Sequence, residues 1–104
     1  MTTPEDAVVS RHGARVRLPA ERWAHILAGH PELDAQRGDV LSTVAEPDQI
    51  RAGRDGALLA IRAIGPARWL AVVYRELDAD GFVVTAMLTS RYAWIARRSR
   101  LWPN

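Results

Sequence analysis

The apolar positions of the chain change period once, near Pro47, and the change separates a helical first half from a sheet-forming second half. Before it, Trp23, Ile26, Leu27 and His30 fall at i, i+3, i+4 and i+7, one stripe of an α-helix. Pro19 suits the first helical position and Glu21 the first turn, so a helix is expected over Pro19–Gly29. Pro31 ends it, because the residue before a proline is pushed out of the α region. A second helix is expected from Pro31 to Glu46. It carries Leu33, Val40, Leu41 and Val44 on one face, is weakened at Gly38 and is closed by Pro47.

Beyond Pro47 the period is two. Gln49–Arg54 reads as a polar strand, Asp55-Gly56 as a hairpin turn, Ala57–Ile64 as a strand and Gly65-Pro66 as a second turn. Trp69–Glu76 is the most strongly strand-like stretch. A turn over residues 77–81 and a fourth strand, Phe82–Arg91, follow. Connections this short join antiparallel neighbours. The expected fold is therefore α+β, two N-terminal helices packed on one face of a four-stranded antiparallel β-meander. Trp23, Ile26, Leu27, Val40, Leu41, Val44, Leu70, Val72, Phe82, Val84 and Leu88 are its expected core. Residues 1–14 show no sustained period and are expected as a flexible arm, with a short edge strand at Arg15–Leu18. The domain is expected over residues 15–91. Residues 92–104 form a basic-aromatic segment that the pattern leaves open between strand, helix and tail.

Alternation also separates two faces of the sheet. Phe82, Val84, Ala86 and Leu88 form a clean apolar set expected to meet the helices, with Val83, Thr85, Met87, Thr89 and Arg91 as alternates. An arginine is seldom buried unpaired, so the sets holding Arg62, Arg75 and Arg91 are expected to share the face away from the helices. Three guanidiniums, the hydroxyls of Thr85 and Thr89 and the indole of Trp69 on one surface match the way single-stranded RNA is held. The same pattern also describes a half-solvated sheet whose arginine stems lie over apolar neighbours.

Charge sharpens this picture more by its distribution than by its total. Residues 1–50 carry five Arg against eight Asp and Glu, and residues 51–104 nine Arg against four, for the overall net of +2. Every basic residue is Arg, and the segment after Leu88 holds four of them and no acid. A basic face able to meet phosphates is one consequence. A genome that writes every basic residue as Arg explains the composition equally well, though not the clustering. The absence of cysteine excludes disulfides and thiolate metal sites. No apolar run approaches the ~20 residues of a membrane span, and the acidic N-terminus does not read as a signal peptide. A cytoplasmic protein is expected.

Candidate chemistry starts from the histidines. His30 falls in line with the apolar stripe, at the point where Pro31 ends the helix, while His25 lies roughly 160° round from Trp23. A core-facing imidazole at a helix end either completes the structure or carries the chemistry. His12 lies in the arm. Neither HExxH, P-loop, GxGxxG nor GxSxG occurs, and His25 and His30, five apart, point in different directions on a helix. What suits these residues is chemistry needing only a proton carrier and fixed positive charge. In metal-free RNA cleavage a base takes the ribose 2′-hydroxyl proton, the oxygen attacks the adjacent phosphate, and arginines stabilise the developing charge.

WAHILAGHPEL, WLAVVYRE and GFVVTAMLTSR, in this order and at these spacings, resemble small bacterial and phage proteins of the barnase–EndoU–colicin–RelE-like (BECR) nuclease group. The resemblance covers about Leu18 to Arg91. It implies two helices followed by a four-stranded antiparallel meander, and a metal-independent ribonuclease of the kind found among toxins and phage-associated proteins. By position, His25 and His30 match the histidine pattern of the group's first helix, and Thr85, Thr89, Ser90 and Arg91 match its terminal strand. Pattern and resemblance together give a catalytic set of His30, His25, Arg91 and Thr89. They give an RNA-binding set of Arg62, Arg75, Thr85, Trp69 and Ser90, with no metal and no cofactor. The expected partners are RNA and, for a toxin, an antitoxin or immunity protein. Two other functions stay open: a non-catalytic module that binds RNA or protein through the arginine face, and one member of a toxin–antitoxin pair whose surface is an interface. His30 belongs to the stripe that packs on the sheet, so it can share a site with the opposite face only if the helix end overhangs the sheet edge.

Overall fold

The computed structural model describes residues 6–78 and 80–104; residues 1–5 of the expected arm and residue 79 of the expected turn lie outside the described residues. The elements in chain order are β1 (Asp6–Val9), β2 (Arg15–Leu18), α1 (Ala20–Gly29), a 3-10 turn (Pro31–Leu33) and α2 (Arg37–Ala45). There follow β3 (Gln49–Ala52), a second 3-10 turn (Arg54–Gly56), β4 (Leu58–Gly65), β5 (Arg68–Leu77), β6 (Asp80–Thr89), α3 (Tyr92–Ala96) and β7 (Arg100–Trp102). The strands form one sheet in the order β1-β2-β6-β5-β4-β3-β7. Neighbours are antiparallel except β2 and β6, which run parallel with Arg15 opposite Asp80 and Arg17 opposite Phe82.

This overturns the expected two-helix, four-stranded antiparallel meander: the described residues hold three helices and a seven-stranded mixed sheet. The expected short strand at Arg15–Leu18 is present, as the interior strand β2 and not at an edge, and the strands added to it, β1 and β7, are four and three residues long, too short for alternation to reveal. Val16 and Leu18 of β2 are nonetheless completely buried. The stretch read as a flexible arm is a strand from Asp6 onward, and its turn is tied down. Ser10 Oγ donates to the Glu76 carboxylate, the Ala14 amide donates to Ser10 Oγ at 3.1 Å, and His12 Nδ1 lies 2.9 Å from Glu76 Oε1. Arg11, in the same turn, sits 4.6 Å over the ring of Trp102 in β7, which links the two ends of the strand order.

The expected second helix is divided. Its first residues form the 3-10 turn, the chain reverses through Ala35 at φ 67°, and α2 begins only at Arg37. α1 and α2 cover one face of the sheet. The core there joins Ile26, Leu33, Val40, Leu41 and Val44 to Val16, Leu18, Ala60, Leu70, Val72, Tyr74, Val83 and Ala86, with Trp23, Leu27 and Leu88 partly buried against it. Phe82 and Val84 are absent from that core. A bulge between Val73 and Tyr74, which pairs Val73 with Thr85 but Tyr74 with Val83, shifts the phase of β6. Val83 therefore points at the helices where alternation from Leu88 backwards places Phe82 and Val84.

The other face is covered as well. Leu59, Ile61 and Ala71 form a second core with Ile95 of α3, and Trp69, Val73, Met87, Tyr92 and Trp94 pack around it. The expected open arginine surface is not formed. Arg62 lies on the α1–α2 side, where its Nη1 donates to Ser42 Oγ at 3.1 Å, while Arg75 Nη1 donates to the Asp55 carbonyl at 2.8 Å. Among the described residues no helix is long and apolar enough to cross a membrane.

Candidate functional site

An open cleft of about 780 Å³ lies where the end of α1 meets the end of β6. One wall begins at His30. Its amide donates to the Ile26 carbonyl at 2.8 Å and finishes α1, while φ −137° and ψ 68° turn the chain out of the helix toward Pro31. The 3-10 turn then folds Glu32 back, and Glu32 Oε2 lies 3.3 Å from His30 Nδ1. The His30 side chain keeps 34% of its surface exposed. The imidazole thus leaves the apolar stripe at its last position and opens into the cleft.

The facing wall is built by the end of β6 and the start of α3. Thr89 Oγ1 accepts from the Arg91 amide at 3.0 Å, and the Trp94 amide donates to the Arg91 carbonyl at 3.1 Å. These two bonds stop the strand and start the helix, so Thr89, Ser90, Arg91, Tyr92 and Arg97 all border the cleft. Tyr92 is fixed from behind. Its ring lies 5.0 Å from that of Trp69, tilted by 49°, and its hydroxyl accepts from Gln49 Nε2 at 3.2 Å and Arg51 Nη2 at 3.4 Å. Arg51, only 6% exposed, donates also to Gln49 Oε1 at 2.7 Å and to the Arg98 carbonyl at 2.8 Å. The hydrogen bond with Gln49, and after it the guanidiniums of Arg51 and Arg100, hold the Tyr92 phenol below its ordinary pKa against the opposing effect of burial.

β2 accompanies β6 only along Asp80–Phe82, α1 and the 3-10 turn both pack against β6, and the end of α1 lines one cleft with the end of β6. His30, Thr89, Ser90 and Arg91 therefore meet in one cleft. His25 does not join them: it is exposed on α1, beside Pro19, Glu21 and Arg22. Arg62 borders a separate depression with Asp39 and Thr43. Arg75 is bound to Asp55, Trp69 stands behind Tyr92, and Thr85 lines a second, smaller cavity under α3. Sequence reasoning did not assign Glu32, Tyr92 or Arg97 to the site. The nearest signal was the two-residue spacing of Glu32 from His30.

Comparison of the chain with protein-family models, with curated proteins and with solved structures finds no match. The chemistry of the cleft rests on its own residues. A carboxylate on Nδ1 orients an imidazole and favours proton exchange at Nε2. Arg91 and Arg97 supply permanent positive charge on the facing wall, and Ser90 adds a hydroxyl. Among the described residues no three His, Asp or Glu converge as metal ligands.

Proposed function

We propose that the cleft cleaves single-stranded RNA without a metal ion. The observation that carries this reading is the meeting of His30, backed by Glu32, with Arg91 and Arg97 across one solvent-open space. A phosphodiester lying in the cleft has its charge opposite the two guanidiniums. His30 Nε2 accepts the proton of the adjacent 2′-hydroxyl, the 2′-oxygen attacks phosphorus, and the P–O5′ bond breaks as the 5′-oxygen takes a proton from water, whose hydroxide then takes the proton from His30. The products are a 2′,3′-cyclic phosphate and a 5′-hydroxyl end. Glu32, 3.3 Å from Nδ1, orients the ring, and Arg91 stabilises the charge that builds on the phosphoryl oxygens.

The test is incubation of the purified protein with labelled RNA in EDTA, with identification of the product ends. Cyclic phosphate ends, lost in His30→Ala, support the reading. Intact RNA, or cleavage that His30→Ala leaves unchanged, removes it.

A further inference from the structure

Behind the cleft, on the face of the sheet covered by α3, lies a second cavity of about 330 Å³. Met87 and Trp94 line both spaces, so the two adjoin. The rest of the smaller cavity is lined by Gly53, Leu59, Val73, Thr85, Arg54 and Arg98. Arg98 lies 4.7 Å over the Trp94 ring. Its Nε–H is buried and has no hydrogen-bond partner among the described residues.

That combination specifies a ligand. Apolar and aromatic walls suit a flat, weakly polar ring, and pockets of this kind fix orientation with a few convergent polar groups. Arg98 lines the cavity and brings guanidinium donors to it. Arg54 and Arg98 place positive charge beside the same space, and an aromatic ring with arginine planes is how unstacked bases are held. The cavity adjoins the cleft where the phosphate chain is proposed to lie. We infer that it is a base-binding subsite: a nucleobase of a single-stranded RNA inserts beside Trp94, its ring carbonyl or ring nitrogen accepting from Arg98, while the neighbouring phosphate occupies the His30–Arg91 cleft. The inference rests on the reading of that cleft as an RNA site.

Binding, measured with the full chain carrying His30→Asn so that RNA stays intact, separates the two ideas. The probes are a short fluorescent oligouridylate and an oligomer of the same length and phosphate number lacking bases. The base-bearing oligomer should bind at least about tenfold more tightly, the factor supplied by a single base–aromatic stack. Thr85→Phe, which fills the cavity away from the cleft, should remove most of that preference and leave the affinity for the abasic oligomer unchanged. Arg54→Ala, at an exposed position, should reduce the preference without touching the fold, and it decides the matter if Thr85→Phe does not fold. Equal affinity for the two oligomers, or a preference that survives both substitutions, overturns the subsite. Cleavage by the unsubstituted chain in EDTA is scored separately. A base preference without cleavage keeps the subsite and removes the catalytic reading; cleavage without a base preference does the reverse.

Discussion

The rings of Trp69 and Tyr92 lie 5.0 Å apart at an interplanar angle of 49°, and through this contact the sheet holds the helix that walls the cleft. Trp69 is in β5 and Tyr92 opens α3. The pair stabilises α3, a helix of five residues too short to be stable alone, and it sets the position of Arg91 next to it.

Trp69→Ala is therefore expected to destabilise the protein by about 3 kcal/mol, near the lower end of the range for emptying a large aromatic site because Trp69 is only partly buried. Trp69→Phe should cost less than half as much. Urea unfolding checks both. A loss under about 1 kcal/mol for Trp69→Ala would show that α3 does not depend on this contact.

The arginines divide into two groups by what they touch. Arg62 and Arg75 are bound to Ser42 and Asp55 on opposite sides of the sheet, whereas Arg91 and Arg97 border the cleft. Replacing Arg91 and Arg97 with Ala should each reduce the slope of log affinity against log salt for single-stranded RNA by about 0.7. Replacing Arg62 and Arg75 should leave the slope as it was. The reverse outcome would place the phosphates elsewhere.

The chain has two tyrosines, and their environments push them apart. Burial, and after it the Glu76 carboxylate, pushes the Tyr74 phenol strongly up; that side chain is completely buried, and its hydroxyl has no hydrogen-bond partner among the described residues. Tyr92 is pushed down, first by its bond with Gln49 and then by Arg51. An unfolded phenol titrates near about 10. For Tyr74, raised in the fold, the unfolded state loses its proton first. Its contribution to stability is thus complete below about pH 10 and is lost as pH rises toward the folded value. Tyr92, lowered in the fold, contributes above about pH 10 and loses that contribution as pH falls through its folded value. Tyrosinate absorbance should accordingly show one phenol ionising early in the folded protein and the second only as it unfolds. Tyr92→Phe should delete the early step. Two phenols ionising together would contradict these environments. Tyr74→Phe removes a buried hydroxyl without a partner among the described residues and should be neutral or stabilising by up to about 1 kcal/mol.

Much of the chain between Pro19 and Thr89 is legible from its pattern, because its elements are long enough to repeat. The stripe of Trp23, Ile26 and Leu27 and the turns at Asp55-Gly56 and Gly65-Pro66 stand where periodicity and turn chemistry put them. What the pattern hid has three physical causes. β1 and β7 are too short to display a period, and nothing in the alternation of Arg15–Leu18 marks β2 as an interior strand parallel to β6, so a mixed seven-stranded sheet looked like a four-stranded meander. One bulge at Val73 reversed the facing of Val83 against Phe82 and Val84. In the segment left open between strand, helix and tail, Ile95, with Tyr92 and Trp94 around it, covers a second core that the pattern did not announce. The site was legible in part. His30 stood out as an imidazole at the end of an apolar stripe, and Thr89, Ser90 and Arg91 as the end of a strand. Glu32, Tyr92 and Arg97 join them only through the reversal at the 3-10 turn and the start of α3, which no local pattern announces.

The most direct measurement of the central claim is RNA cleavage in EDTA by the unsubstituted protein, His30→Ala and Arg91→Ala, each first shown to be folded by circular dichroism. The expected result is cleavage leaving 2′,3′-cyclic phosphate ends, reduced by about 10²–10⁴ in His30→Ala, the usual contribution of a general base. Arg91→Ala should lose about 10²–10³, the size of a lost electrostatic contact to the transition state. His25→Ala, on the exposed side of the same helix, should cleave at the unsubstituted rate. Folded variants of His30 and Arg91 that cleave as well as the parent, or a parent that leaves RNA intact, would contradict it.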